Sequence, residues 1–142
     1  IGGGAAAKRR GIPVGCAAAE ESLIAAQPAF AAQLGLRVPP FAPDFTFSGG
    51  DSLAYGGLTF RVLATPGHTP GGVCFACGGA LFTGDTLFAG SVGRTDLPGG
   101  SAAELRESLR MLFALEGDYT VYPGHDTATT LAYERKYNPF AE

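Results

Sequence analysis

The sequence predicts an α+β fold, and three observations lead to this prediction. Short segments such as residues 58–63 alternate apolar and polar side chains, which is typical of half-buried strands. Glycine pairs at 56–57 and 78–79 fit the tight turns that join neighbouring strands of a β-meander. Helical stretches lie before and after these strands, and 142 residues suffice for one hydrophobic core. We therefore expect a single domain over residues 1–142.

The first third of the chain predicts helices and a connecting loop. Residues 5–10 predict a short helix and residues 12–14 a short strand. Residues 17–36 have a helical composition, but Pro28 favours two helices, the second beginning at that proline. The apolar side chains of this region are spaced to share one helix face: Leu23, Ile24, Phe30 and Leu34. Three prolines within residues 38–43 predict a surface loop.

The remaining two thirds of the sequence predict a sheet and two helices, with the last strand between the helices. Strands are expected at 45–47, 52–55, 58–63, 73–76, 80–83 and 119–122. Residues 89–100 are too rich in glycine for regular structure, and a loop of that length is usually functional. Ser101 begins a capping box for one helix. A final helix is expected to start at Thr127 or Thr129 and to end near residues 137–139.

Composition narrows the function classes. A net charge of −3 without a basic run argues against nucleic-acid binding, and the absence of an apolar run near 18 residues argues against a membrane span. Three cysteines do not form a disulfide framework, so we expect a cytoplasmic protein. Cys74 and Cys77 match C-x-x-C, but on a strand these side chains point to opposite faces and cannot chelate one ion. We therefore assign them to the core or to a strand end.

Three predicted strands end in glycine- or proline-rich loops that each present one potential metal ligand. The ligands are His68, Asp85 and His125, and the two histidines are the only ones in the chain. Nitrogen and oxygen donors in this number suit a catalytic zinc site, although a two-metal site needs more. Each residue also has a structural alternative: a lone histidine is often structural, and Asp85 could close an Asx-turn. Arg94 with Asp96 is either a surface pair or a substrate-binding feature.

The motifs around these ligands resemble those of a known family. The matching segments are TPGHTPG at 65–71, FTGDTLF at 82–88, GRTD at 93–96, YPGH at 122–125 and NPF at 138–140. Together they resemble the metallo-β-lactamase-fold hydrolases, and within these the glyoxalase II-like (hydroxyacylglutathione hydrolase) type. The match extends from about residue 55 to residue 140.

The resemblance implies a fold, a cofactor and a reaction. The fold would be a four-layer αββα sandwich, with His68 on one metal, His125 on the other and Asp85 as the catalytic carboxylate that bridges both. The complete protein would hold two zinc ions, with iron or manganese as alternatives. A metal-bound hydroxide would then attack a small-molecule thioester such as an S-acylglutathione. Where the larger glyoxalase II enzymes have a Lys-Phe-Tyr that holds glutathione, this sequence has Arg94-Thr95-Asp96, and we expect Arg94 to pair with a substrate carboxylate instead.

The family's His-x-His-x-Asp-His segment, which supplies the other metal ligands, is absent from this sequence. In relatives it directly precedes an Ile-Gly-Gly stretch like that at residues 1–3. We therefore expect a domain that lacks its N-terminal strands and this segment. As a 142-residue chain alone, it should bind metal weakly and be inactive.

Two other functions stay open at this point. Persulfide dioxygenases share the fold, the GRTD motif and a pair like His125 and Asp126, and this resemblance implies an iron oxidoreductase. A non-catalytic remnant of the fold is the third reading, and its melting temperature would not depend on zinc.

Overall fold

The computed structural model describes residues 3–141, and the chain divides into two units, Ile1–Phe47 and Ser48–Glu142. The predicted single domain stays a prediction. The first unit contains, in chain order, α1 (Gly4–Arg9), β1 (Gly15–Ala17), a 3₁₀ turn (Ala18–Glu20), α2 (Glu21–Gln33) and β2 (Phe45–Phe47). Strands β1 and β2 pair in parallel. The predicted loop at 38–43 is confirmed, since no helix or strand includes it.

Two predictions for the first unit are wrong. The first strand lies at Gly15–Ala17 rather than at 12–14, because Pro13 has no amide hydrogen and the Val14 amide donates to the Asp44 side chain, 2.9 Å away. Helix α2 runs through Pro28 without a break. Five alanines in this helix have high helix propensity, which offsets the backbone hydrogen bond that the proline cannot make.

The apolar face predicted for this region is also only partly present. Ile24 is buried, whereas Phe30 is exposed and Leu34 lies beyond the end of α2 with its side chain exposed. Helix composition alone therefore overstated how much of this face is covered.

The second unit is built on a six-stranded sheet in the order β10-β9-β6-β5-β4-β3. Its strands are β3 (Ser52–Tyr55), β4 (Leu58–Ala64), β5 (Val73–Cys77), β6 (Ala80–Gly84), β9 (Thr120–Pro123) and β10 (Thr129–Thr130). Strands β3 to β6 pair antiparallel in sequence order, which confirms the predicted meander for these four strands. Strand β2, which was expected to belong to it, pairs with β1 instead.

The sheet topology brings three strand ends to one edge. Strands β4 and β6 run in the same direction because each is antiparallel to β5, and β9 is parallel to β6. The carboxyl ends of β4, β6 and β9 therefore point the same way, and the loops of the three predicted ligands follow them.

Two further elements differ from the prediction. The segment after Asp85 forms a small hairpin of β7 (Leu87–Phe88) and β8 (Ser91–Val92), because Gly90 adopts a positive φ of 68° at the turn. Thr129 and Thr130 form strand β10 rather than a helix start. Thr130 then caps α4 (Leu131–Tyr137) by accepting a hydrogen bond from the Tyr133 amide.

Helices α3 (Ala102–Phe113) and α4 share a hydrophobic core with the sheet. Its buried residues are Cys74, Ala76, Leu81, Leu87, Leu105, Leu109, Leu112, Val121 and Leu131. Ser101 caps α3 as predicted, by accepting a hydrogen bond from the Glu104 amide. Arg135 ties α4 to the end of α3, because its guanidinium donates to the backbone carbonyls of Phe113, Leu115 and Gly117. Of the helices within residues 3–141, none combines the length and the apolar character that a membrane span needs.

Candidate metal site

The loop that follows β4 holds His68 on a rigid frame. Within it, the Thr65 amide donates to the Gly72 carbonyl (2.8 Å) and the Gly67 amide to the Thr69 carbonyl (3.0 Å). Gly67 has a φ of 138° and passes so close to α3 that a Cβ would lie 2.4 Å from the Leu105 amide nitrogen. The loop therefore has little freedom to move against α3.

The two ring nitrogens of His68 have different partners. Nδ1 lies 2.8 Å from the backbone carbonyl of Arg94, and a carbonyl only accepts, so Nδ1 carries the hydrogen. This leaves the lone pair of Nε2 facing Oδ2 of Asp85 at 3.4 Å. Metal-binding histidines are commonly oriented in this way, by donating the other ring N–H to a backbone carbonyl.

Asp85 lies between the two histidines. Its Oδ2 faces His68, and its Oδ1 lies 3.4 Å from Nε2 of His125. Two glycines leave room for this carboxylate and its backbone. A Cβ at Gly93 would lie 1.8 Å from the Asp85 carbonyl oxygen, and one at Gly124 would lie 2.5 Å from Oδ1.

His125 is the most exposed of the three, with 69% of its side chain accessible. The ring of Phe88 meets it edge-on, with the ring centroids 5.8 Å apart. The next residue, Asp126, has a φ of 65°, a left-handed conformation that aspartate tolerates better than most residues. This local turn directs the chain away immediately after His125.

The donor set fits metal ions better than it fits direct hydrogen bonds. Both histidine–carboxylate separations are 3.4 Å, beyond the usual N–H···O range of about 2.7–3.2 Å. Two ligands on one tetrahedral zinc ion, with bonds of about 2.1 Å, lie roughly 3.4 Å apart. Within residues 3–141 no three His, Cys, Asp or Glu side chains surround a single ion position. The geometry is that of two neighbouring pairs that share Asp85.

Arg94 contributes to the site through its backbone, and its side chain is engaged elsewhere. The guanidinium forms a two-pronged pair with Asp96, with Nε–Oδ1 at 2.6 Å and Nη2–Oδ2 at 2.7 Å. These hydrogen bonds lower the pKa of Asp96 to about 2 and raise the pKa of Arg94. Both side chains are exposed. A substrate-binding role for Arg94 stays a prediction. To bind this guanidinium, a substrate carboxylate would have to displace the Asp96 carboxylate.

Several buried polar residues near the site were missed by the sequence reasoning. Glu134 is fully buried, and it accepts hydrogen bonds from the Gly90 amide (2.9 Å), the Asn138 side chain (2.7 Å) and the Thr129 hydroxyl (2.7 Å). Glu134 thereby fixes the β7–β8 hairpin that follows Asp85. Thr65, Thr83 and Thr86 are buried beneath the loops. The residue types gave no reason to predict that these side chains are buried, because threonine and glutamate are usually exposed.

A groove of about 440 Å³ lies along α3. Its lining includes Pro66 and Ser108 but none of the three predicted ligands. The candidate metal site is therefore defined by its donor geometry and not by this groove.

Comparison with known proteins gives concordant matches. Residues 1–125 match the model of the metallo-beta-lactamase superfamily. Hydroxyacylglutathione hydrolase GloC of Haemophilus influenzae is 38% identical over 126 residues, 85% of this chain and 59% of that protein. Human mitochondrial persulfide dioxygenase ETHE1 is 40% identical over 103 residues, 68% of this chain and 41% of that protein. The chain spans about half the length of the curated relatives it matches.

The solved structures agree with the sequence matches. The crystal structure of TTHA1623 in a di-iron-bound form superposes with a TM-score of 0.88 and 38% identity, covering 99% of this chain and 71% of that one. The predicted fold class, α+β with the αββα sandwich of the metallo-β-lactamase type, is confirmed.

Proposed function

The chain belongs to the metallo-β-lactamase superfamily, whose members are generally metal-dependent hydrolases, and we propose that the protein hydrolyses a thioester. The substrate class is a small-molecule thioester such as an S-acylglutathione. The motifs at 65–71 and 82–88 and the 38% identity to a hydroxyacylglutathione hydrolase support this choice.

The observation that carries the proposal is the position of Asp85 between two histidines. Each carboxylate oxygen faces a different imidazole at 3.4 Å, so one carboxylate can serve two neighbouring ions. A site with one iron needs only one of these pairs. The two-sided arrangement therefore supports a site for two ions, and the resemblance of residues 97–100 and 129–130 to the hydrolases favours the hydrolase over the one-iron oxygenase.

The residues present would hold the cofactor in defined roles. His68 and His125 would each bind one ion through Nε2, and Asp85 would bridge them. We propose zinc, with iron or manganese as alternatives. Iron is supported by the similarity to the di-iron-bound crystal structure of TTHA1623. Such ions lower the pKa of a bound water and stabilise a developing oxyanion. Three donors fill only part of two coordination shells. The remainder would come from the longer protein, in the His-x-His-x-Asp-His segment that the resemblance implies.

A persulfide dioxygenase-like activity is the second candidate. The 40% identity to human ETHE1 and the shared GRTD motif at 93–96 favour it. It predicts oxygen uptake with glutathione persulfide and no thioester cleavage.

The test compares both reactions in the natural-length gene product that contains residues 1–142, with the 142-residue chain beside it. Thioester cleavage is followed by the release of the thiol, and oxygenase activity by oxygen consumption. We expect metal-dependent thioester cleavage that Asp85→Asn lowers roughly a hundredfold or more. The matched control is Glu104→Gln on α3, which exchanges an exposed acid for its amide and should change the rate less than about twofold.

Each of the other outcomes assigns a different function. Oxygen uptake without thioester cleavage would replace the hydrolase by the dioxygenase. Neither activity, with a melting temperature unaffected by zinc, would indicate a non-catalytic fold. Two tightly held metal ions per 142-residue chain, measured by elemental analysis, would refute the expectation that this segment alone binds metal weakly.

A further inference from the structure

A chain of buried hydrogen bonds runs beneath the loops of His68 and Asp85. The Thr86 hydroxyl donates to the Thr65 hydroxyl at 3.1 Å, and Thr65 Oγ1 lies 3.3 Å from the Cys74 sulfur. The Cys74 thiol in turn donates to the Thr83 carbonyl at 3.7 Å. Thr65 and Cys74 are fully buried and Thr86 is 3% exposed.

The hydrogen bonds in this buried series all run in one direction from donor to acceptor. If each hydroxyl donates once, the order is Thr86 to Thr65 to Cys74, and the thiol ends the chain on a carbonyl of β6. This requires Cys74 to keep its proton. Burial raises the pKa of the thiol to about 11, so at neutral pH it does. Each of the three donors in this series of hydrogen bonds then has an acceptor, as buried polar groups require.

This series of hydrogen bonds joins two segments of the polypeptide, each of which is rigid internally. Thr65 begins the loop of His68, which the backbone bonds between Thr65 and Gly72 already close. Thr86 directly follows Asp85, and the Thr83 hydroxyl closes that turn by donating to the Leu87 carbonyl at 2.7 Å. Because neither segment bends easily, their relative position depends on the links between them. The Thr86–Thr65 bond is a side-chain link of this kind.

We propose that Thr65 and Thr86 are positioning residues, whose paired hydroxyls set the distance between the His68 imidazole and the Asp85 carboxylate. Through that distance they set the metal affinity of the site. The second statement rests on the proposed metal-dependent function, whereas the first concerns the metal-free protein alone. Neither threonine contacts the metal donors through its own side chain in the bonds described above, so their effect is indirect.

The test uses Thr65→Val and Thr86→Val, which keep the side-chain shape and remove one hydroxyl each. Thr65→Val leaves the buried Thr86 hydroxyl without its acceptor, and Thr86→Val removes the donor to the buried Thr65 hydroxyl; either loss drives the two loops to rearrange. In metal-free crystal structures, the separation of His68 Nε2 and Asp85 Oδ2 should change by about 0.5 Å or more from 3.4 Å. Zinc affinity of the natural-length protein, measured by chelator competition, should fall roughly tenfold or more.

Two sets of variants separate positioning from stability. Thr65→Ser and Thr86→Ser restore the hydroxyl and should return both the separation and the zinc affinity towards the wild-type values. Leu112→Val removes a methylene from the core and no hydrogen-bonding group, so it should lower the melting temperature with zinc affinity unchanged.

The outcomes decide the two proposals separately. An unchanged separation in both valine variants overturns the positioning role, whatever the affinities are. An equal loss of affinity in Leu112→Val overturns the claim that the two hydroxyls set the metal affinity, because stability alone would then account for that loss. If the separation changes but the wild-type protein binds no zinc, the positioning role stands and the proposed metal site fails.

Discussion

Replacing Gly93 by alanine is a sharp test of how the site is built. Gly93 follows the β7–β8 hairpin, and its backbone passes directly against Asp85. Its φ is not positive, so alanine suits the local backbone conformation. Any effect of Gly93→Ala therefore reports the space beside Asp85 and not backbone strain.

The size of the effect follows from the distances. An added Cβ would lie 1.8 Å from the Asp85 carbonyl oxygen, 2.9 Å from its carbonyl carbon and 3.4 Å from the His68 Cβ. Carbon and oxygen atoms rarely approach within about 3.0 Å, so the two backbone segments must separate by roughly 1.2 Å. Overpacking against backbone costs about 3 kcal/mol, which lowers the melting temperature of a chain of this length by roughly 10 °C.

The assay is denaturant unfolding of the metal-free protein, with Gly79→Ala as the matched control. Gly79 also lacks a positive φ, and an added Cβ there meets no atom within 4 Å. Gly79→Ala should therefore stay within about 0.5 kcal/mol of the wild type. Equal unfolding midpoints for the two variants would refute the close approach of Gly93 to Asp85.

Three further predictions test polar groups that are buried or partly buried. Glu134→Ala should cost about 3 kcal/mol because it removes the buried acceptor of the Gly90 amide and of the buried Asn138 side chain, while Glu134→Gln keeps one acceptor oxygen; equal unfolding free energies would contradict this. Arg135→Lys should cost about 1–3 kcal/mol, because one ammonium cannot replace a guanidinium that reaches three carbonyls, and a wild-type denaturant midpoint would argue against it. Burial raises the pKa of the Cys74 thiol from 9.0 to about 11. The buried protonated thiol therefore makes its full contribution to the free energy of unfolding below pH 9, and this contribution is lost as the pH rises through 11. Relative to Cys74→Ser, the wild type should lose up to about 3 kcal/mol over that range, and a difference independent of pH would disprove this.

Prediction from sequence succeeded where a local pattern has a single structural solution. Alternating strands with Gly-Gly turns gave β3 to β6 in the correct order, and Ser101 capped α3 as expected. It failed where tertiary contacts overrode local preference. Pro28 lies inside a continuous helix, and the glycine-rich segment after Asp85 forms a hairpin, with Glu134 and Asn138 bonded to it.

The sequence by itself determined the candidate ligands and their setting: two histidines and one aspartate, each at the end of a strand and in a loop that glycine and proline keep from being regular. Only the tertiary structure decided which atoms face each other. Parallel pairing of β6 with β9 brings His125 to the edge where β4 and β6 place His68 and Asp85, and the Arg94 carbonyl selects the histidine nitrogen that remains free. The reason is physical: hydrogen bonds and close contacts between residues distant in sequence set these positions, and no local pattern encodes such partners.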